Sequence, residues 1–201
     1  LGDWKTAWDH VHFKGFLGDM MDDYWTHRRG GVNWMRFNEQ EIDPKGHATE
    51  LFTDWAMEYL DQRVADKKPF FLYLAYNAPH FPIQPPDDYL DRVRKRQPGL
   101  SEKRARNVAF IEHLDECVGK VMTHLENIGL LKNTLVIFTS DNGGVSNIPS
   151  NYPLRASKGT FYEGGIRTPC IISWPGVIQP GSETDFPANG VDFMPTFAEM
   201  A

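Results

Sequence analysis

Thr134-Leu-Val-Ile-Phe-Thr-Ser-Asp-Asn-Gly-Gly144, followed after a loop by Lys158-Gly-Thr-Phe-Tyr-Glu-Gly-Gly-Ile-Arg-Thr-Pro169, decides how this chain is read. The run Leu135 to Phe138 is β-branched and aromatic, as buried strands are, and it stops at small polar residues and a glycine pair. Asp141 and Asn142 should therefore project from a strand's C-terminal end, where open α/β sheets place ligands. A carboxylate beside a neutral amide oxygen suits a hard cation such as Ca²⁺ or, less well, Mg²⁺, whereas zinc would favour His or Cys. Alone, Asp-Asn-Gly-Gly is also an ordinary turn. Its neighbours add chemistry. Gly159, Gly164 and Gly165 permit tight backbone around Lys158, and Arg167-Thr-Pro leads into a second apolar run, Cys170 to Trp174. Phe70-Phe-Leu-Tyr-Leu-Ala-Tyr-Asn-Ala-Pro-His80 repeats the design of an apolar run ending in an ionisable group. Three strand ends thus offer a His, an Asp-Asn pair and a Lys.

Between these segments lie helical patterns. From Thr49 to Val64, apolar residues at Leu51, Phe52, Trp55, Ala56, Tyr59, Leu60 and Val64 follow helical spacing, and Lys67-Lys-Pro69 ends the helix before the Phe70 run. From Ser101 to Gly129, Val108, Ile111, Leu114, Val118, Val121, Met122, Leu125 and Ile128 form one face, with Ser101 as cap and Gly129 as stop. Long helices alternating with short apolar strands predict an α/β fold, a mostly parallel central sheet with helices on both faces. Pro85 to Gly99 reads as a loop with an exposed basic cluster at Arg92, Arg94, Lys95 and Arg96.

These three segments resemble the C-terminal portion of a sulfatase catalytic domain, within the alkaline phosphatase superfamily. The matching motifs are Pro79-His80, Ser140-Asp141-Asn142-Gly143, Lys158-Gly159 and Glu163-Gly164-Gly165-Ile-Arg167-Thr-Pro169. Gly15-Phe-Leu-Gly, Asp23-Tyr-Trp and Val191-Asp-Phe-Met-Pro-Thr196 extend the likeness over nearly the whole chain. The resemblance implies a sulfuric ester hydrolase, with Asp141 and Asn142 as metal ligands, Ca²⁺ as the metal, and His80 and Lys158 as catalytic and sulfate-binding residues. It implies a sulfated small molecule or carbohydrate as substrate, and a periplasmic, secreted or lysosomal setting.

The family's Cys/Ser-x-Pro-x-Arg motif, source of the formylglycine nucleophile, has no counterpart here. Asn151-Tyr-Pro-Leu-Arg155 has Asn at the nucleophile position and reads as a loop leading to Lys158. Residues 1–201 are therefore expected to be a partial catalytic domain that lacks the nucleophile-bearing N-terminal part and is inactive alone. A phosphodiesterase or phosphonate monoester hydrolase of the same superfamily, and a catalytically dead binding or scaffold homologue, are the alternatives.

Composition narrows the remainder. With 201 residues and a formal charge of -6, the chain can hold one real core, and its acidity argues against nucleic acid as the main partner. No apolar run approaches the roughly 20 residues that span a bilayer. Two cysteines are too few for a disulfide framework, and Cys117, on the apolar side of a helix, is expected to be a buried free thiol. Asp19, Asp22 and Asp23 read as a solvated acidic loop, and His10 and His12 as ordinary loop or strand residues. His113 and Asp115 read as structural polar contacts.

Overall fold

The structure is a computed structural model describing residues 23–29, 31–33, 35–145 and 151–200. His10, His12, Asp19, Asp22 and the Gly15-Phe-Leu-Gly motif lie outside the described residues. Three helices carry the buried core. α1 (Ala48–Asp66) is capped by His47, whose ring accepts from the Thr49 N–H, and it ends where Lys67 turns left-handed at φ 53°. Its buried face is Ala48, Thr49, Phe52, Thr53, Ala56 and Leu60, four residues apart along one stripe.

α2 (Asp87–Arg96) corrects the loop expected over Pro85 to Gly99. Its signals were present but short. Pro86 stands at the N-cap, Asp87 and Asp88 meet the positive end of the helix dipole, and Arg94, Lys95 and Arg96 meet the negative end. Tyr89, Leu90 and Val93 are its buried contribution. The basic cluster is exposed, as expected, and three of its charges are paired within the chain. Arg92 stacks 3.9 Å from the Tyr89 ring and bonds Asp88, Arg94 bonds Glu102 at 2.8 Å, and Arg96 pairs with Glu112.

α3 (Glu102–Asn127) follows the expected limits, with the Ser101 hydroxyl accepting from the Arg104 N–H and Gly129 turning at φ +75°. Its buried stripe is Ala105, Ala109, Phe110, His113, Cys117, Val121 and Leu125, rotated from the face read in the sequence, and Ile111 is exposed. The small Ala105 and Ala109 let α2 approach through Tyr89, Leu90 and Val93. Packing against two neighbours, α1 and α2, selects the stripe, and hydrophobicity along one helix cannot reveal that. Cys117 is buried, as expected, and burial pushes its thiol up.

Two short hairpins precede the helices, β1 (Arg28–Arg29) with β2 (Val32–Asn33) and β3 (Arg36–Phe37) with β4 (Gln40–Glu41). β5 (Val136–Thr139) pairs antiparallel with β6 (Cys170–Ser173), from Val136 opposite Ser173 to Thr139 opposite Cys170. All described pairings are antiparallel, so the mostly parallel sheet is not assembled among the described residues. In the Phe70 to Ala75 run, half-buried Leu72 and Leu74 alternate with exposed Phe71 and Tyr73 as in a strand, and the inner pair packs on Leu60, Val121 and Leu125, but among the described residues the run is paired with no strand. α4 (Glu163–Ile166) and α5 (Phe193–Met200) complete the α-helices, the latter beginning within the Val191 to Thr196 motif. No helix of the described residues is long and apolar enough to cross a membrane.

Polar residues sit at the centre of the helical unit. Tyr24 and Phe110 meet the ring of buried His47, Tyr89 meets that of buried His113, and the two imidazoles meet edge to face at 4.6 Å. His47 Nε2 donates to the Gln84 carbonyl and its Nδ1 accepts from Thr49, so both nitrogens are committed to the neutral ring. Burial, and then the neighbouring His113, push His47 down to about 4. Burial, and then Lys120, push His113 down to about 4, against the pull of Asp88 and Glu116.

Because both folded values lie below the ordinary histidine value, the folded chain takes up fewer protons than the unfolded one. The stability held by this pair is complete above pH ~6.5 and is lost as pH falls towards 4, by on the order of 3 kcal/mol per ring at most. Thermal unfolding from pH 8 to pH 4 should show the midpoint falling only in the acid half of that range. His113→Met should flatten the slope, and an unchanged slope would show that acid destabilisation arises elsewhere.

Candidate functional site

β5 delivers the acidic end of the site. The Thr139 hydroxyl donates to the Pro169 carbonyl at 3.1 Å, tying the strand's last residue to the approach to β6. Beyond it, the Ser140 hydroxyl donates to the Asn142 carbonyl and the Asn142 amide nitrogen donates to Asp141 Oδ1 at 2.9 Å. That bond fixes the orientation of the amide. Asn142 Oδ1 and Asp141 Oδ2 become the oxygens the pair can offer to a cation, with Asp141 exposed and Asn142 half-buried.

Lys158 reaches the same place through backbone contacts. The Lys158 N–H donates to the Gly144 carbonyl at 2.9 Å, and the Gly143 N–H donates to the Gly165 carbonyl at 2.9 Å. The Gly164 N–H donates to the Arg155 carbonyl at 2.8 Å. The three segments are pressed together with no room for side chains. A Cβ at Gly143 would overlap the Gly164 carbonyl oxygen, one at Gly164 the Arg155 and Ala156 carbonyls, and one at Gly165 the Thr160 and Ser157 carbonyls. These glycines serve close approach of main chain to main chain. Ala156 completes the turn in the left-handed region at φ 65°, a conformation that costs a non-glycine residue roughly 1–2 kcal/mol.

His80 is held from the helical unit. Its N–H donates to the Asn77 carbonyl, and its Nδ1 lies 3.0 Å from the Phe81 carbonyl. A carbonyl only accepts, so Nδ1 carries the hydrogen and Nε2 is the ring atom left to act on a ligand. The Tyr24 hydroxyl donates to the His80 carbonyl at 3.1 Å, and the Tyr24 N–H donates to Gln84 Oε1 at 2.8 Å. Buried Tyr24, whose phenol is pushed up by burial, thus moors the Pro79-His80 turn to the core.

Of the four residues singled out in the sequence, the structure joins Asp141 and Asn142 directly and ties Lys158 to them through Gly143 and Gly144. No hydrogen bond among the described residues links His80 to that loop. Sequence reasoning overlooked Asn151, whose amide bonds two carbonyls of the same loop, and Arg155, whose guanidinium lies 3.7 Å over the Tyr162 ring. A lone Asn before Tyr-Pro carries no pattern that distinguishes it from a turn residue.

The donor set fits a hard cation in kind. Asp141 and Asn142 supply oxygens, while Ca²⁺ takes roughly six to eight. Among the described residues no group of three or more His, Cys, Asp or Glu side chains gathers to complete the shell.

The clearances generate a paired test. Gly164→Ala forces two backbone carbonyls to move and should cost about 1–3 kcal/mol or more, whereas Gly119→Ala, into open space on α3, should stabilise by up to about 1 kcal/mol. Urea unfolding of the two variants should move the midpoint in opposite directions.

Comparison with known proteins gives the family. The family model described as Sulfatase matches residues 2–201. A sulfatase of Formosa agariphila is 41% identical over 172 residues, covering 80% of this chain and 31% of the relative. Arylsulfatase J of Mus musculus is 32% identical over 200 residues, covering 94% of this chain and 33% of the relative. The chain therefore spans about a third of the length of these relatives. Among solved structures, that of Ps i-CgsB in complex with k-i-k-neocarrahexaose superimposes with a TM-score of 0.82 at 32% identity, covering 92% of this chain and 44% of that one. The chain thus shares the α/β fold of that structure, and it belongs to the sulfatase family.

Proposed function

We propose that the complete protein to which this chain belongs hydrolyses sulfate esters, with Asp141 and Asn142 holding a divalent cation and Lys158 and His80 facing the sulfate. One observation carries the reading. The Lys158 backbone is hydrogen-bonded to Gly144, two residues beyond Asn142, so the residue that carries an ammonium is tied by its main chain to the turn that carries two cation-binding oxygens. A sulfate ester carries one negative charge and gains more on its leaving oxygen as the S–O bond breaks, so catalysis calls for concentrated positive charge around the sulfuryl oxygens.

Ca²⁺ would polarise a sulfuryl oxygen, and formylglycine, from residues outside this chain, would supply the nucleophile. Lys158 contributes a fixed cation. His80, with Nδ1 committed to Phe81, presents Nε2 either to a sulfuryl oxygen or, when protonated, as the proton donor to the leaving alcohol. Family membership supports an extracytosolic setting. The saccharide named in the Ps i-CgsB complex supports a sulfated carbohydrate as substrate class.

In the full-length protein, Asp141→Ala and Lys158→Ala should fail in different ways. Excess Ca²⁺ should recover part of the Asp141→Ala activity by mass action and none of the Lys158→Ala activity, which should fall about 10²–10³-fold in kcat. Wild-type turnover by Lys158→Ala would refute its role, and an unaltered Ca²⁺ dependence of Asp141→Ala would remove Asp141 from the metal site. For His80 the discriminating variable is the leaving group. As a general acid its loss should cost about 10²-fold or more on an alkyl sulfate and little on nitrophenyl sulfate, whereas a sulfate-binding role predicts equal losses on both.

A further inference from the structure

We infer that Asn151 is a positioning residue for Lys158, setting where the ammonium stands relative to Asp141 and Asn142. The inference rests on the role proposed above for Lys158. Asn151 Nδ2 lies 3.0 Å from the Gly144 carbonyl and 3.0 Å from the Ala156 carbonyl. These acceptors mark the two ends of the arc that separates the Asp141-Asn142 turn from Lys158. A carboxamide nitrogen has two hydrogens, one for each carbonyl. Serine has one, and aspartate has none when ionised. The side chain is half-buried, and the Asn151 main-chain carbonyl accepts from the Leu154 N–H at 2.7 Å, so the bridge springs from a closed turn.

One of these carbonyls is shared with Lys158, and the other lies two residues before it. Gly144 accepts the Lys158 N–H as well as Asn151, so its two lone pairs are spent on fixing the loop. Ala156, two residues before Lys158, holds the left-handed conformation at φ 65° while its carbonyl faces Asn151 and crowds Gly164. Without the amide, Ala156 can relax towards an ordinary conformation, and the base of the Lys158 side chain shifts with it. A displacement of the order of 1 Å in a reacting group can cost about 10²-fold in rate. Lys158 carries its charge on a long flexible stem, so its aim depends on the anchoring of its Cα.

A double-mutant cycle in the full-length protein tests this, with steady-state turnover of a sulfate ester at saturating Ca²⁺. Asn151→Ala should lower kcat about 10–10²-fold while KM changes less than about 3-fold, because the lost contact acts on the transition state. In the Lys158→Ala background the same substitution should add less than about 3-fold, since no ammonium is left to misplace. If Asn151→Ala multiplies its full factor onto Lys158→Ala, or if it turns over like wild type, the positioning role is overturned. Should Asn151→Ala not fold, Asn151→Asp, of the same shape and without the donor hydrogens, takes its place in the cycle. Normal activity of Lys158→Ala would overturn the proposed Lys158 role and this inference together, whereas an impaired Lys158→Ala with full additivity overturns this inference alone.

Discussion

The site depends on a contact that involves no functional group, the packing of the Gly143 backbone against Gly164 and Gly165. β5 and β6 bring the two segments side by side, and the Gly143 to Gly165 hydrogen bond continues that approach past the last ladder pair, Thr139 opposite Cys170. Only residues without a Cβ allow it. Glycine loses the most chain entropy on ordering, so concentrating three at one crossing destabilises the fold locally. The offset is a loop closed by main-chain hydrogen bonds, with the acidic pair on one side and the lysine on the other. The chemistry-bearing residues are thus passengers on a geometry set by their neighbours.

The other half of the candidate site follows a different physical logic. His80 stands on a turn moored by Tyr24, and Tyr24 stacks on His47, which also holds the Gln84 carbonyl. These contacts work while the buried imidazole is neutral, because its Nδ1 must accept from Thr49. The protonation state of a residue remote from any ligand therefore governs the platform of one that would meet the substrate. Desolvation keeps the ring neutral, at the expense of tolerance to acid.

Elements with long-range periodicity and strong punctuation were legible. Ser101 and Gly129 bracket α3, Lys67-Lys-Pro69 closes α1, and the Leu135 run is a strand that ends before Asp141. The motifs disclosed the family, because glycines demanded by backbone clearance and ligands demanded by chemistry recur at set spacings. What escaped notice depends on partners. α2 has only Tyr89, Leu90 and Val93 to bury, too few to announce a helix in so charged a stretch. The rotation of the α3 stripe is set by α2 and α1, and His113 is tolerated in it because Glu50 lies 3.3 Å from its Nε2. Asn151 read only as a loop residue because its value lies in two carbonyls, and backbone acceptors have no sequence signature.

The β5–β6 ribbon bears on how the segment behaves in solution. Among the described residues it is only two strands wide, and Phe138, Ile171 and Ile172 are 40%, 62% and 46% exposed. Adjacent exposed apolar side chains on a narrow β-ribbon with open hydrogen-bonding edges are a template for pairing with another chain. Isolated from whatever covers that ribbon, the segment is expected to self-associate more as its concentration rises. Edge pairing, rather than unfolding of the helices, is the route by which it would leave solution.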